Sequence, residues 1–240
     1  MEREKNTAEN PVALVTGTSS GFGLLTVLEL ARRGYVAVAT MRDLRNSDEL
    51  RLKAQEEGLE RQIHYLKLDV TNAAEIEHAI AGTLKTYGRI DVLVNNAGFA
   101  IGGFTEEIPM EDWRLQFETN FFGLVAVTKA VLPSMRQKGR GCIINVGSIS
   151  GLVGFPGYAP YAASKFAVEA SAKVCVTSCQ APVSRWCWWS LVPSGRQSGT
   201  RGFRTSAASL LPLTLPVLRE CCAIPESQRK QRRTRFTSPV

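Results

Sequence analysis

Histidine is almost missing from this chain: of 240 residues, only His64 and His78 carry an imidazole. His64 falls in a strand pattern and His78 in a helical one, and neither has a partner that suggests a site. Cysteine is as sparse through the first 170 residues, where Cys142 stands alone. The later pairs, Cys175-x-x-x-Cys179 and Cys221-Cys222, lack a second pair or a neighbouring histidine, so no zinc site is expected. No apolar run reaches the roughly 18 residues of a membrane helix, and residues 1–10 are too charged for a signal peptide. These absences predict a cytoplasmic protein without a membrane span. There is no internal repeat either, which leaves one α/β domain as the expectation for a chain that is 44% hydrophobic.

What is present begins with glycine. The apolar run Val12-Ala13-Leu14-Val15 breaks into Thr16-Gly17-Thr18-Ser19-Ser20-Gly21-Phe22-Gly23 and then into the helical pattern Leu24-Leu25-Val27-Leu28-Leu30. Strand, glycine turn and helix in that order can cradle a phosphate. Glycines let the backbone approach a pyrophosphate, and the helix N-terminus adds orphan N–H donors and the positive end of its dipole. The spacing is GxxxGxG and not the common GxGxxG, so the mechanism is matched and the letters are not. Alone, such a loop is also a plain tight turn.

Residues 35–40 read as a second parallel strand, whose C-terminal end should lie beside an adenosine ribose. An acid usually sits there in NAD-selective sites. Here Met41 is followed by Arg42, whose guanidinium can pair with a 2′-phosphate. The position predicts NADP(H) over NAD(H), the alternative being an ordinary solvated arginine. Further strands follow at residues 63–68, ending in Asp69-Val70, and 92–94, ending in Asn95-Asn96-Ala97-Gly98. Helical patterns separate them, so the order βαβαβαβ predicts a Rossmann-like, doubly wound parallel sheet in a three-layer αβα arrangement.

Residues 111–138 carry one long helical pattern containing Asn120, and residues 142–146 make a fifth strand ending at Gly147-Ser148. Beyond it, Tyr161 and Lys165 lie four apart at the start of a helix, which puts a phenol and an ammonium on one face. A free phenol with a pKa near 10 is a poor base at neutral pH; a nearby positive charge should pull it toward the working range.

Thr16-Gly17-x-x-x-Gly21-x-Gly23, Asn95-Asn96-Ala97-Gly98, Asn120, Ser148 and Tyr161-x-x-x-Lys165 together resemble the short-chain dehydrogenase/reductase family, in order and spacing, over residues 10–170. The flanking Ala39-Thr40-Met41-Arg42-Asp43-Leu44 and Phe155-Pro156-Gly157 are most similar to its NADP(H)-preferring steroid and retinol dehydrogenases. The resemblance implies interconversion of a secondary alcohol and a ketone or aldehyde by hydride transfer. Tyr161 would be the acid or base. Lys165 would lower the pKa of Tyr161 and bind the nicotinamide ribose, Ser148 would polarise the carbonyl, and Asn120 would hold a water that relays protons. Gly17, Ser19, Ser20, Gly21, Phe22 and Gly23 would surround the pyrophosphate, Asp69 and Val70 the adenine, and Asn95, Ala97 and Gly98 the adenosine side of the cleft. Residues 99–103 and 149–158 would line the substrate pocket. A homodimer or tetramer is also implied, built on the helices bearing Asn120 and Tyr161. For Asn120, the residues alone leave open a mid-helix amide bonding its own backbone.

After residue 170 the text changes character. Residues 1–170 hold 18 Lys and Arg against 20 Asp and Glu; residues 171–240 hold 11 against 2, so the net charge of +7 belongs to the tail. Trp186, Trp188 and Trp189 and five of the six cysteines also fall there. Tryptophan is encoded only by TGG and cysteine by TGT or TGC. Codons taking the last base of one residue and the first two of the next read Val across Trp186 and Cys187, Leu across Cys187 and Trp188, and Val across Trp188 and Trp189. Trp189 into Ser190 then reads Val or Glu. The same shift permits Pro-Gly over residues 190–192, Arg-Thr over 194–196 and Ser-Glu-Ser-Leu-Arg-His-Glu-Leu over 171–179. Val-Leu-Val is a buried parallel-strand pattern that a tail has no need to encode. The reading is a one-base deletion near codon 170 or 171. Taken at face value, Arg229-Lys230-Gln231-Arg232-Arg233-Thr234-Arg235 would bind polyanions without specificity, and no specific nucleic-acid partner is expected.

The expected organisation is a disordered N-terminus at 1–10, a dinucleotide-binding and catalytic domain at 11–170, and an aberrant, largely disordered basic tail at 171–240. On this reading the helix after Tyr161 is truncated and the sixth and seventh strands are missing or scrambled. One sheet edge would be bare and the product marginal or aggregating. The alternative function is a catalytically silent nucleotide binder or a misfolded fragment.

Overall fold

The computed structural model describes residues 10–178 and 186–189, with side chains described for 10–172. Six parallel strands stand in the order β3-β2-β1-β4-β5-β6: β1 Val12–Thr16, β2 Val36–Met41, β3 Ile63–Lys67, β4 Val92–Asn95, β5 Cys142–Val146 and β6 Trp186–Trp189. Strands β1, β2 and β4 are buried at every position, as expected of a sheet covered on both faces. Alternation sends Ala13 and Val15 into one core with Leu24, Val27 and Leu28 of α1 (Gly21–Arg32). Val12 and Leu14 go to the other. There they pack with Ile76 and Ile80 of α3 (Ala73–Tyr87) and with Val127, Val131 and Met135 of α5 (Leu124–Gln137). The short α2 (Asp48–Glu56) adds Leu50 and Ala54 to the first core. These are the three layers and the doubly wound sheet that the strand and helix patterns predict.

Strand order reverses between β1 and β4. In an open parallel sheet the crevice beyond the strand ends at that reversal is where ligands bind. Thr16 closes the crevice floor: its Oγ1 accepts from the backbone N–H groups of Asn96 and Ala97, each at 3.0 Å. The loops after β1 and β4 are thereby tied together.

Three expectations need correction. The single helix over residues 111–138 is α4 (Met110–Phe117), a π-helical stretch at Glu118–Gly123, and α5. The wider turn falls where the helix presses on the loop after β3: a Cβ at Gly123 would lie 2.7 Å from Val70 Cγ2. Such π turns are frequent at functional sites. Next, the helix bearing Tyr161 continues past residue 170, since α6 runs from Ala159 to Ser178. Pro160 stands in its first turn, where its missing N–H costs nothing, and no glycine or later proline breaks it. Finally, Trp186–Trp189 form a sixth strand, Ile143 pairing with Trp186 and Val146 with Trp189. Backbone hydrogen bonding at the open edge of β5 is indifferent to which side chains arrive, and aromatic residues suit strands. The expected loss of a seventh strand and the basic run 229–235 lie outside the described residues.

Candidate active site

The crevice is an open cleft of about 460 Å³. Its phosphate end is built by the loop between β1 and α1. Gly17 has φ +68°, and a Cβ there would meet Ala97 Cα at 2.7 Å, so no other residue fits. At Gly21, with φ +59°, a Cβ would have nothing within 4 Å, so the first turn of α1 stays open to the cleft. The N-cap Ser20 makes no side-chain hydrogen bond to that turn. Orphan N–H groups and the dipole's positive end are thus free to meet an anion. Gly17, Ser19, Ser20, Gly21 and Phe22 line the cleft as expected. Gly23 does not. Its Cβ would fall 2.2 Å from the Gly17 carbonyl oxygen, so it is glycine for packing of the loop on the helix.

The adenosine end is formed by the loops after β2 and β3. Arg42 is exposed at its rim and has no ion-pair partner among the described residues. The neighbouring acid is already engaged: Asp43 binds Arg45 at 2.6 Å, which holds its carboxyl down at about 2. Asp69 and Val70 both line the cleft. The Asp69 carboxylate accepts from the N–H and Oγ1 of Thr71, and its backbone N–H donates to Glu75 Oε2 at 2.9 Å. Asp69 therefore shapes the loop with its side chain.

After β4, Ala97 and Gly98 line the cleft while Asn95 is buried behind it. Asn95 Nδ2 donates to Thr128 Oγ1 and Asn145 Oδ1, both at 2.9 Å, which ties β4, β5 and α5 together. The cleft-facing amide is Asn96, the second residue of the Asn95-Asn96-Ala97-Gly98 run. Its Nδ2 donates to the carbonyls of Thr16 and Gly17 at 3.0 and 2.8 Å and braces the glycine loop.

At the far end stand Ser148, Tyr161 and Lys165, all lining the cleft. Ser148 caps a short 3-10 turn, Ile149–Gly151, and its Oγ accepts from Ser150 N at 3.1 Å. Burial pushes the Tyr161 phenol above its ordinary 10, and the neighbouring Ser148 hydroxyl offsets the rise only in part. This runs against the expected lowering by Lys165. The physical reason is that the ammonium lies 5.8 Å from the ring centre and donates to the Val146 carbonyl at 2.8 Å. Burial brings Lys165 itself down to about 8.

Asn120 does not line the cleft. Its Oδ1 accepts from Phe99 N at 3.1 Å, and its Nδ2 donates to Phe99 O at 2.9 Å and to Ser164 Oγ at 3.2 Å. It thus bonds another segment's backbone, and not its own. Gln116, one helical turn earlier, does the same with Phe99 O and Ile101 N, each at 2.7 Å. A second amide four residues before Asn120 is the signal in the sequence that points to it.

The anion cradle at the switch point thus shares one cleft with Ser148, Tyr161 and the buried Lys165. Comparison with known proteins gives the family. The model of the short chain dehydrogenase family matches residues 11–180, and the chain belongs to that family. It is 50% identical over 158 residues to the oxidoreductase YusZ of Bacillus subtilis, covering 66% of this chain and 56% of that protein. Against 3-ketodihydrosphingosine reductase of Bacteroides thetaiotaomicron it is 42% identical over 158 residues, or 66% and 54% of the two. A crystal structure of actinorhodin polyketide ketoreductase with NADPH superposes with a TM-score of 0.69 at 35% identity, covering 73% of this chain and 68% of that one. The chain spans about half the length of the curated relatives it matches. Among the described residues no helix is long and apolar enough to cross a membrane, and no cluster of metal-ligating side chains occurs.

Proposed function

We propose that the cleft binds NADP(H) and that its chemistry is the interconversion of a secondary alcohol with a ketone or aldehyde. The observation that carries this reading is that Ser148, Tyr161 and Lys165 stand in the same cleft as the open glycine turn. The residues fit a dinucleotide: uncapped N–H groups and the open Gly21 for the pyrophosphate, Arg42 for a 2′-phosphate, Lys165 for the nicotinamide ribose. The NADPH named with the ketoreductase structure points the same way.

When bound, the cofactor supplies or accepts the hydride. The chain's own residues handle charge and protons. In reduction, negative charge grows on the carbonyl oxygen, and the hydroxyls of Ser148 and Tyr161 donate to it there, stabilising the transition state over the ground state. A phenol pushed up by burial is protonated at neutral pH, which suits Tyr161 to the acid role. The Lys165 ammonium, fixed on Val146, faces the phenolate that remains. Asn120 and Gln116 hold the backbone of Phe99 and Ile101, the wall beside the reacting atoms, with Asn120 as candidate relay through a water. The substrate is a small molecule, and a homodimer or tetramer in the cytoplasm is the assembly and setting we favour.

We also propose that residues 171–240 follow a one-base deletion near codon 170 or 171. The family match stops at residue 180, and the residues pairing as β6 are those whose shifted codons read Val-Leu-Val. Sequencing the parent DNA tests this. Activity is tested by NADPH oxidation with a panel of ketones, in this chain and in one with its frame restored. Tyr161→Phe should abolish turnover and retain NADPH binding; equal turnover with and without the phenol would sink the reading.

A further inference from the structure

Among the described residues, Gln116 is the largest polar side chain that is fully buried, at 0% exposure. An amide shut away from water must find its donor and acceptor partners inside the protein. Gln116 of α4 finds both on one short piece of backbone: its Nε2 donates to Phe99 O, and its Oε1 accepts from Ile101 N, each at 2.7 Å. The two groups flank Ala100, so the side-chain amide does there what the peptide of a neighbouring strand would do. Phe99 O has a second donor in Asn120 Nδ2 at 2.9 Å, whereas Ile101 N bonds to Gln116 alone among the described residues.

What the amide pins is cleft wall. Phe99 and Ala100 line the same cleft as Ser148, Tyr161 and Lys165. The pinned stretch is also tied to the helix that carries two of those residues: Asn120 Nδ2 donates to Ser164 Oγ at 3.2 Å, and Ser164 Oγ donates to Tyr161 O at 2.7 Å. The helices α4 and α6 pack against each other as well. Gln116 is thus a strut between the wall and the frame that holds Tyr161, without lining the cleft itself.

We infer that Gln116 is a positioning residue for the reaction: it holds the backbone of residues 99–101 against a carbonyl bound at Tyr161, and so governs turnover without contributing to NADPH affinity. The inference rests on the oxidoreductase reading of the cleft and deepens it. Reacting atoms displaced by about 1 Å lose on the order of a hundredfold in rate. A leucine at position 116 fills the space, leaves Ile101 N without its acceptor and leaves Phe99 O to Asn120. A glutamate fills the same space and gives the hold a pH dependence. Ionised, it accepts from Ile101 N but turns a second oxygen on Phe99 O; protonated, it donates there as the amide does. Burial and that carbonyl both disfavour the ionised form, which lifts its titration above the usual carboxylate value of about 4.3.

The test is reduction of the ketone turned over fastest in a panel, by the full chain and its Gln116→Glu and Gln116→Leu variants, from about pH 5.5 to 8.5. NADPH affinity is measured by fluorescence in each. Gln116→Leu should lower kcat/KM about hundredfold at every pH. Gln116→Glu should stand close to wild type at the acid end and fall toward the leucine level as its carboxyl ionises. NADPH affinity should be unchanged in both. The titratable groups on α4, the π turn and α6, namely Glu111, Asp112, Glu118, Tyr161, Lys165 and Glu169, are common to wild type and variant, so the difference between their profiles reports residue 116. Gln116→Glu exchanges a single heavy atom and keeps the comparison where the leucine variant does not fold. A glutamate profile parallel to wild type, or a loss matched by an equal loss of NADPH affinity, overturns the inference. A wild-type chain that reduces no ketone defeats the oxidoreductase reading, and the inference with it.

Discussion

Asn120 holds Phe99 by both polar groups of its backbone, accepting from its N–H at 3.1 Å and donating to its carbonyl at 2.9 Å. A residue at the centre of a π-helical turn thereby fixes a loop 21 residues before it. Asn120→Ala leaves the buried amide side of Phe99 without its acceptor, while Gln116 still serves the carbonyl. A loss of about 1–3 kcal/mol is expected from urea unfolding. Stability equal to wild type would show that the clamp carries no weight.

The glycine loop predicts a contrast between neighbours. Gly17→Ala combines a left-handed φ with a 2.7 Å approach to Ala97 Cα, and should cost about 2–4 kcal/mol and abolish NADPH binding. Gly21→Ala meets open space and bears only the φ strain, about 1 kcal/mol. Thermal unfolding of the pair, with NADPH titration of whatever folds, checks the order.

Arg42 has no ion-pair partner among the described residues, while Asp43 beside it is occupied by Arg45. Arg42→Ser should lower NADPH affinity about tenfold or more and leave NADH affinity unchanged. Equal loss for both dinucleotides would place the side chain elsewhere than on a 2′-phosphate.

Burial depresses Lys165 from 10.5 to about 8. Between those values the unfolded chain holds a proton that the folded one has released, so stability rises with pH through the window. The cost of the buried charge is fully present below about 8. Tyr161 works in the opposite direction only above 10, its pKa being raised. Urea midpoints from about pH 8 to 9.5 should therefore climb more in wild type than in Lys165→Met. Parallel lines for the two would remove the assignment.

Much of this is legible in the sequence because the signals are periodic or local. Strands buried on both faces announce themselves as unbroken apolar runs, as residues 12–15 and 92–94 do, and a glycine turn between strand and helix names its own end of the cleft. What escapes is set by tertiary contact. Nothing in the letters distinguishes Asn95, turned into the sheet, from Asn96, turned to the cleft, except the alternation of one strand. The π turn at Glu118–Gly123 follows from the press of Val70 on Gly123, a contact about 50 residues distant in sequence that no helical period reveals. The Tyr161 phenol rises where the spacing predicts a fall, because spacing gives the distance to Lys165 but not the depth of burial. Trp186–Trp189 pair as a strand through backbone groups that every sequence has.

The most direct test of the central claim is an NADPH fluorescence titration of the full chain beside the version with its frame restored. Saturable binding to both is predicted, since the anion cradle, Arg42 and the Ser148, Tyr161 and Lys165 cluster all lie within residues 17–165. A chain that unfolds cooperatively yet gives no saturable NADPH signal in either version would contradict it.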